Sequence, residues 1–137
     1  MAGVVGPASV YNRDDGRYRG QEFGSVISDV KRSITAGEPV KVTFQGTNPN
    51  NNLNHGSSYF EIQRKDGNDW TTVANDNDWN TKMHWRLEKR NISLLTVEWI
   101  SSNETKSGEY RIILKGHSKL NGTITEYSGN SATFLVN

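Results

Sequence analysis

Apolar and polar residues alternate along most of this chain with a period of two. Val40, Val42 and Phe44 are separated by Lys41 and Thr43, and Phe60 and Ile62 by Glu61, with Tyr59 and Gln63 on either side. The pattern returns in Met83, Trp85 and Leu87 among Lys82, His84, Arg86 and Glu88, and in Leu95, Val97 and Trp99 around Thr96 and Glu98. It recurs in Tyr110, Ile112 and Leu114 beside Arg111 and Lys115, and Phe134 and Val136 close it. Successive side chains of an extended strand point to opposite faces, so this spacing predicts half-buried strands, each with one dry and one wet face. Turn-forming clusters separate the runs: Ala36-Gly37-Glu38-Pro39, residues 48–54, Asp66-Gly67-Asn68, residues 75–80 and Lys106-Ser107-Gly108. No dozen-residue window carries the apolar stripe of a helix. About seven short strands punctuated in this way predict an all-β, immunoglobulin-like antiparallel β-sandwich in a single domain. The Gly-x-Tyr of Gly108-Glu109-Tyr110 adds a local cue, a tyrosine corner opening a strand, with Ile112 where such domains often carry a cysteine. Gly116 reads as the end of that strand, with His117 just beyond it.

Composition changes this picture little. Only 33% of the residues are hydrophobic, close to what disordered chains show, but four Trp, five Tyr and four Phe supply the burial a small domain needs. At 137 residues one domain is expected. Residues 1–22, with Arg13, Asp14, Asp15, Gly16 and Arg17, read as a polar linker or lead-in, and 23–137 as the sandwich. A net charge of +1 with both signs interspersed predicts no nucleic-acid partner. The absence of cysteine excludes disulfides, thiol nucleophiles and Cys-based zinc sites. No stretch approaches the roughly 18 apolar residues of a membrane-spanning helix. The opening MAGVVGPASVYN has neither the basic nor the long apolar region of a signal peptide. Three N-x-S/T sequons begin at Asn91, Asn103 and Asn121, weak evidence in a chain this rich in Asn, Ser and Thr.

Catalytic constellations are missing. His55, His84 and His117 form no HxH or HExxH pattern, and surface roles are expected for them. Gly129-Asn130-Ser131-Ala132-Thr133 lacks the last glycine of a nucleophile elbow. Asp76 and Asp78 would suit glycoside chemistry only inside a cleft. The chain alone is therefore not expected to be an enzyme, and no catalytic residue is assigned. The stretch VANDNDWNTKMHW, residues 73–85, is the most polar and the most suggestive. Asp76, Asp78 and Asn80 imitate the start of an EF-hand loop, but Thr81 stands where its glycine belongs and Leu87 where its bidentate glutamate belongs. Three readings follow: an Asx-rich turn between strands, a hard-cation site using Asp76, Asp78 or the Thr81 hydroxyl, and a sugar platform on Trp79. Trp85 reads as core.

The same stretch, followed by Trp85-Arg86 and Thr96-Val97-Glu98-Trp99, resembles the C-terminal domain of the neutral/alkaline non-lysosomal ceramidases. Phe23-Gly24-Ser25-Val26 is similar to that family's F-G-D-V opening, and residues 42–53, VTFQGTNPNNNL, to its V-x-F-x-G-A-N-P-x-N-x-L loop. Gly108-Glu109-Tyr110-Arg111-Ile112 resembles P-G-x-Y-R-I, Gly116 to Lys119 the G-x-x-K, and residues 127–134, YSGNSATF, the closing F-x-G-T-S-x-x-F. The likeness runs in order from Phe23 to Val136. Three places depart from it: Ile113-Leu114-Lys115 in place of R-[HY]-F, Ser101-Ser102 where the family has a proline, and Asn130 for the Thr of G-T-S.

The resemblance implies an immunoglobulin-like sandwich that supports a catalytic domain in cis. The zinc, its His, Glu and Tyr ligands and the ceramide pocket would belong to that other domain. It also implies a divalent cation, Ca or Mg, at the interdomain contact. Asp78 and Thr81 would be the ligands from this side and Asp76 a weaker candidate, with no cofactor bound by this chain alone. Such a parent would be secreted or membrane-associated. The alternative is a free-standing cytoplasmic module that has lost the enzyme and binds a glycan, a lipid surface or a protein partner. The initiating Met1 and closure on a strand motivate it.

Overall fold

The computed structural model describes residues 14–51, 59–89 and 91–137, which form two β-sheets packed face to face. The strands among them are β1 (Val26–Ser28), β2 (Ser33–Ile34), β3 (Pro39–Gly46), β4 (Phe60–Asp66), β5 (Asp69–Asn75), β6 (Thr81–Leu87), β7 (Ser93–Ile100), β8 (Gly108–Leu120), β9 (Thr123–Asn130) and β10 (Phe134–Val136). One sheet has the order β1-β3-β7-β6. The other runs β2-β10-β8-β4-β5, with β9 also paired to β8. Neighbours are antiparallel except β2 and β10, which run parallel with Ser33 beside Leu135 and Ile34 beside Val136. The expectation of antiparallel pairing thus fails at this one pair, where a two-residue strand is added at a sheet edge.

The alternation in the sequence builds the core. Pairing of β3 with β7 sets Val40 opposite Trp99, Val42 opposite Val97 and Phe44 opposite Leu95, and all six are buried. Facing them from the second sheet are Phe60 and Ile62 of β4, Tyr110, Ile112 and Leu114 of β8, and Phe134 and Val136 of β10. The rings of Trp99 and Tyr110, 5.4 Å apart, join the two inner faces. Each such side chain contributes roughly 1.5–3 kcal/mol by leaving water. The Tyr110 hydroxyl donates to the Lys106 carbonyl at 2.6 Å, the hydrogen bond of a tyrosine corner. On β6 the pattern is weaker: Met83 and Trp85 are only half-buried and Leu87 is exposed, because this strand lies at the edge of its sheet. The residues following Asn75 therefore lead into an edge strand rather than a central one.

Four strands go beyond those the alternation predicts: β1 and β2, two or three residues long at sheet edges, and the longer β5 and β9. β5 carries a register shift against β4 between Ile62 and Gln63, which scrambles the period-two pattern of Trp70 to Ala74. β9 is mostly exposed, so selection for apolar side chains is relaxed along it. It is joined to β8 by Asn121 and Gly122, both at positive φ (50° and 80°), as a two-residue type I′ hairpin requires. Gly116 does not end its strand: β8 continues to Leu120, and His117 lies within it. The glycine is there for space, since a Cβ at this position would sit 2.7 Å from the Tyr127 ring.

Residues 14–22, assigned to the lead-in on sequence, lie against the sandwich. Asp15 is buried; one carboxylate oxygen accepts from Asn48 N at 2.9 Å, the other from the Asn51 amide at 2.9 Å and from Lys119 N at 2.7 Å. Gln45, on the row of β3 opposite the core, is nonetheless fully buried, because residues 16–18 cover it. Its amide nitrogen donates to Gly16 O at 3.3 Å and its oxygen accepts from Tyr18 N.

Candidate functional site

The loop between β5 and β6 is held by its own polar side chains. Asp78 Oδ2 accepts from Asn75 N at 2.7 Å and Asn75 Oδ1 from Asn77 N at 2.9 Å. Backbone bonds from Asp78 N to Asn75 O (3.0 Å) and from Thr81 N to Asp78 O (3.1 Å) close two successive turns. The buried Thr81 hydroxyl donates to Asn75 O and Asp78 O, 2.8 Å from each. Asn80 is tied to Ile100 by its amide at 3.2 Å and by its carbonyl, which accepts from Ile100 N at 2.9 Å. This is the Asx-rich turn that the sequence suggests, formed because short amide and carboxylate side chains reach their own backbone.

Asp78 and Thr81 both bond the backbone of Asn75, the carboxylate accepting from its N–H and the hydroxyl donating to its carbonyl. Asp76 is directed elsewhere, to Tyr59 at the start of β4, whose N–H it accepts at 3.0 Å. Each carboxylate is thus held through one oxygen, and the other has no partner among the described residues. The Thr81 oxygen keeps lone pairs after donating its proton. Calcium takes six to eight oxygens and magnesium an octahedral six. These residues fit a hard cation as part of such a shell, not as the whole of it. No group of three or more His, Asp or Glu side chains gathers among the described residues.

Trp79, between these ligand candidates, is 89% exposed, whereas Trp85 packs against the core and donates from Nε1 to Ser93 Oγ at 2.9 Å. Sequence reasoning places Trp85 correctly from its alternation. It leaves the display of Trp79 open, as the premise of one of three readings, because a tryptophan in a polar loop can fold back as readily as project.

The remaining candidates are structural or peripheral. His84 is exposed on β6, and His117 is half-buried on β8 with its carbonyl accepting from the Thr47 hydroxyl at 2.8 Å. His55 lies outside the described residues. Ser131 is no nucleophile: its hydroxyl accepts from Ile112 N and donates to Ala132 O, both at 2.8 Å, patching the ladder where β9 gives way to β10. Of the sequons, Asn91 is half-buried and donates to Asp14 O at 3.1 Å, while Asn103 and Asn121 are exposed. An apolar cleft of about 150 Å³ has Pro49, Tyr59, Met83, Leu95 and Leu114 in its walls, and none of Asp76, Asp78 or Thr81 lines it.

The outer face of β4, β5 and β8 carries a polar network. Lys115 donates to Glu61, as does the Thr72 hydroxyl, and these bonds, with Lys115 the larger, hold the Glu61 carboxyl below its ordinary value. Arg111 stacks 4.2 Å over the Trp70 ring and donates from Nε to Gln63 at 2.8 Å. Ile113 and Lys115, two of the positions that depart from the family pattern, lie on this face. At Asp15, burial pushes the carboxyl above its ordinary value against the opposing effect of its three hydrogen bonds.

Residues 10–136 match the family described as neutral/alkaline non-lysosomal ceramidase, C-terminal. Neutral ceramidase B of Dictyostelium discoideum is 38% identical over 119 residues, covering 84% of this chain and 17% of that protein. Neutral ceramidase of Mycobacterium tuberculosis is 33% identical over 115 residues, covering 83% and 18%. The crystal structure of neutral ceramidase from Pseudomonas aeruginosa superposes with a TM-score of 0.86 at 32% identity, over 90% of this chain and 20% of that one. The chain thus spans about a fifth of the length of the relatives it matches.

Proposed function

The chain belongs to the neutral/alkaline non-lysosomal ceramidase family as its C-terminal domain, and from that premise we propose that it braces a catalytic domain without doing chemistry itself. That partner, in cis, would be the zinc-dependent hydrolase that splits the amide of ceramide into sphingosine and fatty acid. One observation carries the reading: nearly all of this chain matches the C-terminal family model, and its relatives are about five times its length.

The strand order supports reading the sandwich as immunoglobulin-like. Taken as A-B-E-D, the sheet β1-β3-β7-β6 is the first sheet of such domains, and β10-β8-β4 is the G-F-C of the second. The contact with the catalytic domain would be made at the β5–β6 loop. There Asp78 and Thr81, with Asp76 as a weaker third, offer a Ca or Mg ion part of its oxygen shell, and the partner supplies the rest.

The size of the native polypeptide tests this reading. Immunoblotting of a source extract should show a species several times 15.4 kDa that hydrolyses ceramide. A native species of 15.4 kDa, with glycan or liposome binding by the purified chain, would replace the reading with that of a free-standing module.

A further inference from the structure

Three Asx-Gly dipeptides occur in the chain, at Asp15-Gly16, Asp66-Gly67 and Asn121-Gly122. Such pairs share one reactivity: with no Cβ on the glycine, its backbone nitrogen can approach the side-chain carbonyl of the preceding residue and close a succinimide ring. The fold treats the three differently. At Asp15 both carboxylate oxygens are bonded, and Gly16 N is committed to Asn91 O at 2.8 Å. Asp66 Oδ2 accepts from the Thr71 hydroxyl at 2.8 Å and from Arg64 at 3.4 Å, which favours the carboxylate, the form a nitrogen attacks least readily. Asn121 has none of these restraints. It is exposed at the tip of the β8–β9 hairpin, and neither its side chain nor Gly122 N has a hydrogen-bond partner among the described residues. Its amide is uncharged, and asparagine is among the least durable side chains. Nothing packs on the tip: a Cβ at Gly122 would meet no atom within 4 Å, so the Asn121–Gly122 peptide has room to rotate into attack.

The lead-in hangs on this hairpin. Asn121 N donates to Asp14 Oδ2 at 3.0 Å; Lys119 N donates to Asp15 Oδ2 at 2.7 Å, and Asp15 N to Lys119 O at 2.8 Å. We propose that Asn121 is a self-modification site, where spontaneous deamidation converts the amide to Asp and isoAsp and loosens the hold of the sandwich on residues 14–18. Gly122 N loses its proton to hydroxide and attacks Asn121 Cγ; the N–Cγ bond forms, the Cγ–Nδ2 bond breaks, and ammonia departs. Water then opens the ring at either carbonyl, so water enters and ammonia leaves with no change of oxidation state. Opening at Cγ leaves Asp, whose new charge repels the nearby Asp14 carboxylate. Opening at the backbone carbonyl leaves isoAsp, which adds a methylene to a loop so tight that Leu120 pairs directly with Thr123. The attachment of the lead-in thereby declines with the age of the chain.

The test is incubation of this chain, folded, at neutral and mildly alkaline pH, followed by peptide mapping with mass spectrometry and chromatographic separation of isoaspartyl peptides. Asn121 should be lost ahead of the other asparagines, at a rate rising in proportion to hydroxide, while Asp15 and Asp66 stay aspartyl. Amide exchange of residues 14–18 should rise in step with that loss, and Asn121→Asp should show a rise without incubation. Asn121→Gly accepts the positive φ and removes the amide, so its lead-in should exchange alike before and after incubation. Conversion of Asn121 only in the urea-unfolded chain, or isomerisation of Asp66 as fast as loss of Asn121, means that the fold does not select this site, and the proposal fails. Conversion at Asn121 that leaves the exchange of residues 14–18 unchanged removes the loosening and overturns it as well.

Discussion

At the scale of single residues, the polar groups that matter most are buried ones whose partners lie far away in sequence. Asp15 draws together Asn48, Asn51 and Lys119. Asp15→Ala withdraws an acceptor from three donors at once, and should lower the free energy of unfolding by about 2 kcal/mol or more in urea titration. Its hydrogen-exchange signature should be early release of residues 14–18. Glu61 shows a different dependence, on pH. Its carboxyl titrates below the ordinary 4.5 in the folded chain because Lys115, then Thr72, donate to its charged form. The folded state therefore gains stability from Glu61 above pH 4.5, and loses it as the pH falls through the depressed value. Glu61→Gln should make the acid limb of melting temperature against pH shallower below 4.5 and leave the neutral limb unchanged in slope. Asp15 has the opposite sign: its raised carboxyl binds protons more tightly when folded, so its share of stability declines as pH rises from 3.8 to the raised value. Neither position was legible as special in the sequence, where Asp15 is one acidic residue in a polar lead-in and Glu61 a wet position on a strand. Only the arrival of distant partners sets them apart.

At the scale of elements, period-two alternation identified β3, β4, β7 and β10 and the first half of β8 with their buried faces, because a strand packed on one side selects apolar residues at every second position. It was blind to β5, where a bulge breaks the period, and to β9, which has little core to face. A turn signal for β9 stood in the sequence all the same: Asn121-Gly122, read only as part of a sequon, is the commonest two-residue hairpin turn. Gly122→Val puts a β-branched side chain at φ 80°, where a Cβ meets nothing within 4 Å, so the penalty is one of backbone conformation alone. It should cost about 1–2 kcal/mol, visible as a lower urea midpoint and faster exchange in β9 than in β3 or β7. The β5–β6 loop lies between these extremes. Its identity as a turn follows from its Asn and Asp content, but the division of labour within it, Asp78 and Thr81 toward Asn75 and Asp76 toward Tyr59, depends on where β4 begins.

For the whole molecule, the docking reading makes cation binding a property of two domains. Titration of this chain with Ca or Mg by calorimetry should give no saturable heat at millimolar concentration, since two or three oxygens do not satisfy a shell of six or more. The full-length protein should bind one further ion, and Asp78→Asn combined with Thr81→Val should remove it. Tight binding by the isolated chain would overturn the half-site. What the sequence determined by itself is the fold class, the identity of most core residues and the family: strand burial imposes a local periodicity, and the family's motifs are contiguous runs that survive without their structural context. What only the tertiary structure decided is which polar residues are buried, which strands form edges, and that Trp79 is displayed. Those properties depend on residues brought together from distant parts of the chain, and no local pattern encodes which surfaces the folded sheets will leave uncovered.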